Sequence, residues 1–175
     1  MWHPALCKKG KYQERQDVMS VITFKGHESR VLVFVCRKDG LKVVLLPTSD
    51  GHYKALGGTN REEAYHKETE RQTGQREVLE ESGLKIIFTD MIRLCEPVIH
   101  PKHGHKINYF IVMPGKFTGM LRTQDLQDGT DILKPPVECT VSFALRNIIS
   151  HHREFLRLAL EKLASDYPDA AMALY

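Results

Sequence analysis

Three glutamates, Glu77, Glu80 and Glu81, occur at spacings of three and four residues, which brings them together on a helix. At roughly 100° per residue they share one helical face, and we call them the glutamate face. Val78 and Leu79 are then predicted to point toward a core. Stacked carboxylates repel one another by about a few tenths of a kcal/mol per pair, and a bound divalent cation reverses the sign of that interaction. The face is therefore either a solvated acidic stripe or a site for a hard cation held jointly with phosphates.

The residues around the glutamate face follow a longer pattern, which favours the cation site. Glu68 lies eight residues before Arg76. Gly83 is placed to end the helix as a C′ glycine, and the pair Gly57-Gly58 precedes the whole segment.

Residues 68–84 resemble the signature of the Nudix hydrolases. After a glycine, that signature has Glu, seven residues, Arg-Glu, an aliphatic residue, any residue, Glu-Glu, any residue, Gly and an aliphatic residue. This chain matches every specified position from Glu68 to Leu84. So many fixed positions at fixed spacing are far more specific than a lone glycine motif. The resemblance implies an α/β/α sandwich with a mixed sheet, in which a strand, a loop and a helix position metal ions.

The loop before the signature helix departs from the family pattern. The family leaves five residues between the signature glycine and the first glutamate, whereas this chain has nine between Gly58 and Glu68. The four additional residues correspond to about one helical turn, so residues 61–67 are expected to extend the helix or to remodel the loop. In an unbroken helix, Glu68 would point away from Glu77, and its role would change. Gly74 predicts either a break in the helix or close packing against it.

The resemblance also implies roles for individual residues. The implied ligands of Mg²⁺ or Mn²⁺ are the carbonyl of Gly57 and the carboxylates of Glu77, Glu80 and Glu81. The implied catalytic residues are Glu68, Arg76, Glu80 and Glu81. Arg76 is expected to be structural, because it is placed to pair with a carboxylate and to hold the helix against its loop.

A general base must accept a proton from the attacking water. Glu80 or Glu81 could do so. The family sometimes uses an acidic residue from a distant loop instead, for which the candidates are Glu96, Asp128, Asp131 and Glu138. The sequence does not distinguish among these four.

The function implied is metal-dependent hydrolysis of a phosphoanhydride bond in a nucleoside diphosphate linked to another moiety. The chain lacks the markers of the ADP-ribose, dinucleoside polyphosphate, NADH and coenzyme A hydrolases. Oxidised nucleoside triphosphates and inositol pyrophosphates stay open as substrates. The alternative is a non-catalytic Nudix-fold module that binds a nucleotide or a partner. Such members usually lose a signature carboxylate, and this chain keeps them all.

Residues 100–106 gather three histidines and two lysines in a turn-like segment, which we call the basic loop. Three of its residues could contact substrate phosphates: Lys102, His103 and Lys106. The alternative, which the sequence favours, is a surface hairpin turn with solvated side chains.

Composition is consistent with one soluble domain over residues 1–175, with a core at about 15–165. The hydrophobic fraction of 42% against 27% charged residues excludes a mainly disordered chain. A net charge of +3 is too small to indicate nucleic-acid binding. No run approaches the roughly 18 apolar residues of a membrane span, and the amino terminus lacks a signal-peptide core, so a cytoplasmic location is expected. Monomer and homodimer both stay open.

Apolar and β-branched runs predict the strands, and a long apolar periodicity predicts the last helices. The predicted strands are residues 18–24, 31–36, 41–46, 85–94 and 107–113. Residues 25–28 and 38–40 are predicted turns, residues 115–136 are predicted to be mostly loop, and residues 143–163 are predicted to be helical with a break near Ser150.

Overall fold

A mixed sheet forms the centre of the computed structural model, which describes residues 26–60, 62–63, 66–100, 103–166 and 168. Its strands, from one edge to the other, are Val137–Thr140 (β14), Gly40–Pro47 (β2), His27–Arg37 (β1), Lys106–Val112 (β10) and Met91–Arg93 (β8). β1 and β10 are parallel, and the other neighbours in this order are antiparallel. Three short strands pair with β2, β1 and β10 respectively: Tyr53–Lys54 (β3), Leu56–Thr59 (β4) and Val98–Ile99 (β9).

The hairpin of β1 and β2 confirms the predicted strands 31–36 and 41–46. Its two turn residues are Lys38 and Asp39, since Arg37 pairs with Gly40, the first residue of β2. The turn predicted over residues 25–28 is wrong for His27 and Glu28, because both extend β1 by pairing with the start of β10. The predicted strand 18–24 lies outside the described residues.

The two faces of β1 belong to two different cores. Leu32 and Phe34 pack in a cluster with side chains from Val141–Asn147 (α2) and Ser150–Asp166 (α3). Val31 and Val33 alternate with them and pack in a second cluster with Val78 of Glu70–Ser82 (α1). The helices therefore cover both faces of the sheet, which confirms the α/β/α fold class.

The signature helix α1 is capped at both ends, although the sequence predicts only the C-terminal cap at Gly83. The side chain of Thr69 accepts the Gln72 amide hydrogen, and Gly83 ends the helix with φ 80° and a bond from its N–H to the carbonyl of Leu79. Val78 is fully buried as predicted. The prediction for Leu79 is wrong, because it lines an outer groove of α1 and is 44% exposed.

Gly74 lies where α1 packs most closely on the sheet. A Cβ atom there would lie 2.6 Å from Cε of Met91 and 3.1 Å from Cγ2 of Val31. The close-packing alternative for this glycine is therefore confirmed, and α1 continues through it without a break.

Of the two alternatives for residues 61–67, helical extension and a remodelled loop, the described residues contradict the helical extension. Glu62–Glu63 (β5) and His66–Lys67 (β6) pair in an antiparallel hairpin instead. The reason lies at Thr69, whose extended backbone and side-chain cap start α1 at Glu70. Glu68 therefore precedes the helix.

The segment between α1 and β10 is more irregular than its sequence suggests. The predicted strand 85–94 divides into Lys85–Ile86 (β7), a 3₁₀ turn at Phe88–Asp90, and β8. The division follows from pairing, because β7 pairs with Phe117–Thr118 (β11) and β8 pairs with β10. The predicted strand 107–113 is confirmed by β10.

The region predicted to be mostly loop contains a second hairpin, formed by Leu126–Asp128 (β12) and Asp131–Leu133 (β13). The helical end of the chain is confirmed, with its break between Asn147 and Ser150. In the described part of the chain, no helix combines the length and apolarity needed to cross a bilayer.

Candidate active site

The glutamate face lines one wall of a cleft with a volume of about 590 Å³. β1, β3 and β4 supply the opposite wall, and the β12–β13 hairpin supplies the rim. Besides Glu77, Glu80 and Glu81, the charged residues that line the cleft are Arg30, Lys54, Arg76 and Asp128. Carboxylates and cations therefore face one another across a space large enough for a small-molecule ligand.

Glu81 is the most buried carboxylate of the cleft, with 5% of the residue exposed. Its Oε2 accepts the backbone N–H of Gly57 at 2.6 Å, and its Oε1 lies 3.9 Å from Nζ of Lys54. Burial raises the pKa of Glu81 to about 7, against the opposing effects of Lys54 and the Gly57 amide. This carboxylate therefore exchanges its proton near neutral pH.

Glu77 and Glu80 share one partner, the guanidinium of Arg76. Nη1 of Arg76 donates to Oε1 of Glu77 at 2.7 Å and to Oε2 of Glu80 at 2.9 Å. Burial raises the pKa of Glu77, although the positive charge of Arg76 acts in the opposite direction. Arg76 thus offsets the repulsion within the glutamate face.

Arg76 also joins α1 to the chain in front of it. Its Nε donates to Oε1 of Glu68 at 2.7 Å, and its Nη2 donates to Oε2 of Glu68 at 3.1 Å and to the carbonyl of Thr59 at 3.0 Å. This is the pairing expected of a structural arginine. Glu68 binds Arg76 through both of its carboxylate oxygens and is not among the residues that line the cleft.

The glycine pair lets β4 approach both β1 and α1. Gly57 has φ +133°, and a Cβ atom on it would lie 1.9 Å from the carbonyl oxygen of Ser29. A Cβ atom on Gly58 would lie 2.7 Å from the carboxylate of Glu77. Gly57 therefore has to be glycine, whereas a side chain at Gly58 would displace the Glu77 carboxylate from its place in the cleft.

The oxygen donors of the cleft are of the type that a hard divalent cation prefers. Their side chains do not yet converge: within the described residues, no three His, Cys, Asp or Glu side chains meet closely enough to hold a metal ion. Arg76 engages Glu77 and Glu80, the Gly57 amide engages Glu81, and the Gly57 carbonyl accepts a hydrogen bond from Arg30.

Of the four loop carboxylates considered as a base, only Asp128 lines the cleft. It lies on β12, at the rim of the cleft. Glu138 is bound by Arg37 in a two-point ion pair on β14, and Glu96 and Asp131 are exposed outside the cleft lining.

The basic loop connects β9 to β10 and lies outside the cleft as far as it is described. His103 and Lys106 are exposed and do not line the cleft. Lys102 lies outside the described residues. His105 is buried, and its Nε2 lies 2.8 Å from Oε2 of Glu28.

Sequence reasoning missed two cations of the cleft, Arg30 and Lys54. Lys54 carried a signal, because it precedes the glycine pair by three residues. Arg30 carried none, because its partner Gly57 is 27 residues away and is brought opposite it by the pairing of β1 with β4.

Comparison with known proteins gives similarity in structure. No protein-family model and no curated protein matches the sequence. The Nudix domain of Shewanella oneidensis NrtR, solved with ADP ribose, matches at TM-score 0.60 and 16% identity, over 78% of this chain and 87% of that one. The E. coli ORF135 protein matches at TM-score 0.55 and 17% identity, over 81% and 94%. A Caenorhabditis elegans Ap4A hydrolase matches at TM-score 0.54 and 16% identity, over 79% and 98%. At these identities the similarity shows the fold alone, and the chain has the fold of the Nudix hydrolases.

Proposed function

We propose that this protein is a Nudix-type pyrophosphohydrolase. It cleaves a phosphoanhydride bond in a nucleoside diphosphate linked to another moiety, with Mg²⁺ or Mn²⁺ held at the glutamate face. The observation that carries the proposal is that Glu77, Glu80 and Glu81 line the same cleft as two separate cations, Arg30 and Lys54. A diphosphate offers anionic oxygens to both walls at once.

The similar structures support a nucleotide as the ligand class. One of them was solved with ADP ribose, and another is an Ap4A hydrolase.

The carboxylates of Glu77, Glu80 and Glu81 and the carbonyl of Gly57 would hold the cation. When bound, such a cation neutralises the diphosphate and activates a water molecule. Glu80 and Glu81 are the first candidates for the general base, because both carboxylates line the cleft. Asp128, at the rim of the cleft, is the other candidate for this role.

The cations of the cleft have separate tasks in this proposal. Lys54 stabilises the charged form of Glu81 from 3.9 Å away and faces the substrate phosphates. Arg76 keeps Glu77 and Glu80 together and fixes α1 to β4. Glu68 acts through Arg76, as a positioning residue, because it contributes two of the hydrogen bonds that orient the guanidinium.

We also propose that the β5–β6 hairpin accommodates the four additional residues of the signature loop. It lies between Gly58 and Glu68, and α1 begins only after Glu68. The pairing of Glu68 with Arg76 supports this, because the insertion leaves that ion pair in place.

A panel of nucleotides tests the proposal: ADP-ribose, nucleoside diphosphate sugars, dinucleoside polyphosphates and nucleoside triphosphates. Release of nucleoside monophosphate, phosphate and pyrophosphate is measured during titration with Mg²⁺ or Mn²⁺ and again with EDTA. We expect metal-dependent release from at least one class. Saturable nucleotide binding without any release would instead indicate the binding module.

A further inference from the structure

Arg30 occupies an unusual place in the cleft, because it binds a main-chain oxygen that the proposed function assigns to the cation. Its Nη1 donates to the carbonyl of Gly57 at 2.5 Å. The pairing of β1 with β4 fixes these two residues opposite each other. Only 16% of the Arg30 side chain is exposed, so this contact is largely shielded from water.

A contact with Glu28 holds the guanidinium of Arg30 at this carbonyl. Its Nε donates to Oε1 of Glu28, and the other oxygen of Glu28 lies 2.8 Å from Nε2 of His105. Burial opposes ionisation of Glu28, but Arg30 and His105 outweigh it and lower the pKa of that carboxyl. The clamp that holds Arg30 is therefore an ionised carboxylate with 9% of its side chain exposed.

A carbonyl oxygen has two lone pairs, so it has room for two partners. The positive charge of Arg30 nevertheless opposes binding of a cation at the Gly57 oxygen. A divalent cation bound to the Gly57 oxygen would lie within a few ångströms of the guanidinium, and screening by water is weak at a part-buried position. Binding of the cation at this oxygen is therefore opposed for as long as Arg30 stays on it.

We propose that Arg30 is an internal counter-cation that competes with the divalent cation for the carbonyl of Gly57. This inference rests on the proposed function for the identity of the metal ligands. In this role Arg30 neutralises part of the acidic cleft before loading, and it raises the cation concentration needed to fill the site. A monovalent ion gains too little from the carboxylates to displace it, so the competition also favours divalent ions.

Binding of Mn²⁺ alone, measured by calorimetry and by electron paramagnetic resonance without nucleotide, tests the competition. Arg30→Gln removes the charge and keeps a hydrogen-bonding side chain. We expect it to bind Mn²⁺ about tenfold more tightly than the wild type, while Arg30→Lys, which keeps the charge, stays within about threefold of it. Arg37→Gln is the matched control, because Arg37 lies on the same strand and is exposed outside the cleft, paired with Glu138. It should leave the affinity unchanged.

The variant Glu28→Gln/Arg30→Gln covers the case in which the single change unfolds the protein. It removes both charges of the pair, so it leaves no uncompensated buried carboxylate. We expect the same gain in Mn²⁺ affinity. Unchanged or weaker binding in both variants, or no Mn²⁺ binding by any form of the protein, overturns the inference. Because no turnover is involved, tighter binding by Arg30→Gln supports the competition even if the nucleotide panel shows no hydrolysis.

Discussion

The glutamate face and the basic loop both stand out in the sequence as charged clusters, but only the glutamate face lines the cleft as far as the chain is described. The difference is one of backbone. Glu77, Glu80 and Glu81 lie on a helix capped at both ends, where residue spacing fixes the direction of each side chain. In the loop, chain proximity fixes no direction, and His105 turns inward to Glu28 while His103 remains exposed.

The two cations Arg30 and Lys54 show the converse case, because they are distant in the sequence but line the same cleft. Arg30 and Lys54 come from two strands, and sheet pairing brings them to the cleft together with the glycine pair. A local cluster of positive charge in the sequence was therefore a poorer guide to the basic wall of the cleft than the position of each strand.

The largest expected effect comes from the glutamate face itself. Glu80→Gln or Glu81→Gln should reduce kcat by about a hundredfold or more, because each removes a proposed metal ligand or base. Glu70→Gln is the matched control, since Glu70 lies on the same helix but not in the cleft lining. Steady-state kinetics would refute the assignment if both cleft variants retained the activity of the wild type, or if Glu70→Gln lost as much as they do.

A smaller effect on kcat is expected from Glu68, which contacts Arg76 and does not line the cleft. Glu68→Gln should reduce kcat by about tenfold, because Glu68 acts only by orienting Arg76. Glu77→Gln, measured beside it, should be the more damaging change. A loss in Glu68→Gln equal to that in Glu80→Gln would show that Glu68 takes part in the chemistry directly.

The raised pKa of Glu81 predicts a pH-dependent cost to stability. Its folded pKa of about 7 lies above the unfolded value of 4.5, so the folded protein holds the extra proton between them. The stability that the protein has with Glu81 neutral is therefore fully present below about pH 4.5 and is lost as pH rises through 7, where the buried carboxyl must ionise. In EDTA, Glu81→Gln should raise the Tm by roughly 2–8 °C at pH 8 and by little at pH 5. Equal shifts at both pH values would mean that the charge of Glu81 is not the cause.

The smallest effect is expected from the basic loop. Contact of Lys102, His103 or Lys106 with substrate remains a prediction from sequence. Such contact requires Lys102→Ala/Lys106→Ala to raise KM several-fold with little change in kcat, and KM to climb with salt above about 0.1 M. From the exposed position of Lys106 outside the cleft lining, we expect neither change. A several-fold rise in KM would place the loop at the substrate after all.

Sequence was sufficient wherever the deciding interaction is local. The glycine cap that ends α1, the hairpin turn before Gly40 and the spacing of the glutamates depend on residues a few positions apart, and the structure has each of them. The helical extension over residues 61–67 failed because the cap at Thr69 competes with it. The helical spacing predicts that Leu79 points away from the glutamates. It does not predict whether another element packs against that side of the helix, and Leu79 is in fact exposed.

Interactions between distant residues were beyond the sequence. The pairing of β1 with β10 converts a predicted turn at His27 and Glu28 into strand, and the partner of His27 is 79 positions along the chain at Lys106. The bond of Arg30 to Gly57 depends on strand register in the same way.

If the glutamate face performs metal-dependent hydrolysis, turnover requires both the cation and the carboxylate of Glu81. For the best substrate of the panel, kcat/KM is followed against free Mg²⁺ for the wild type and for Glu81→Gln. We expect the wild-type activity to fall to background in EDTA and to saturate with Mg²⁺, and the Glu81→Gln curve to lie about a hundredfold or more below it at every concentration. Activity that survives EDTA, or two curves that coincide, would show that the glutamate face does not perform metal-dependent hydrolysis.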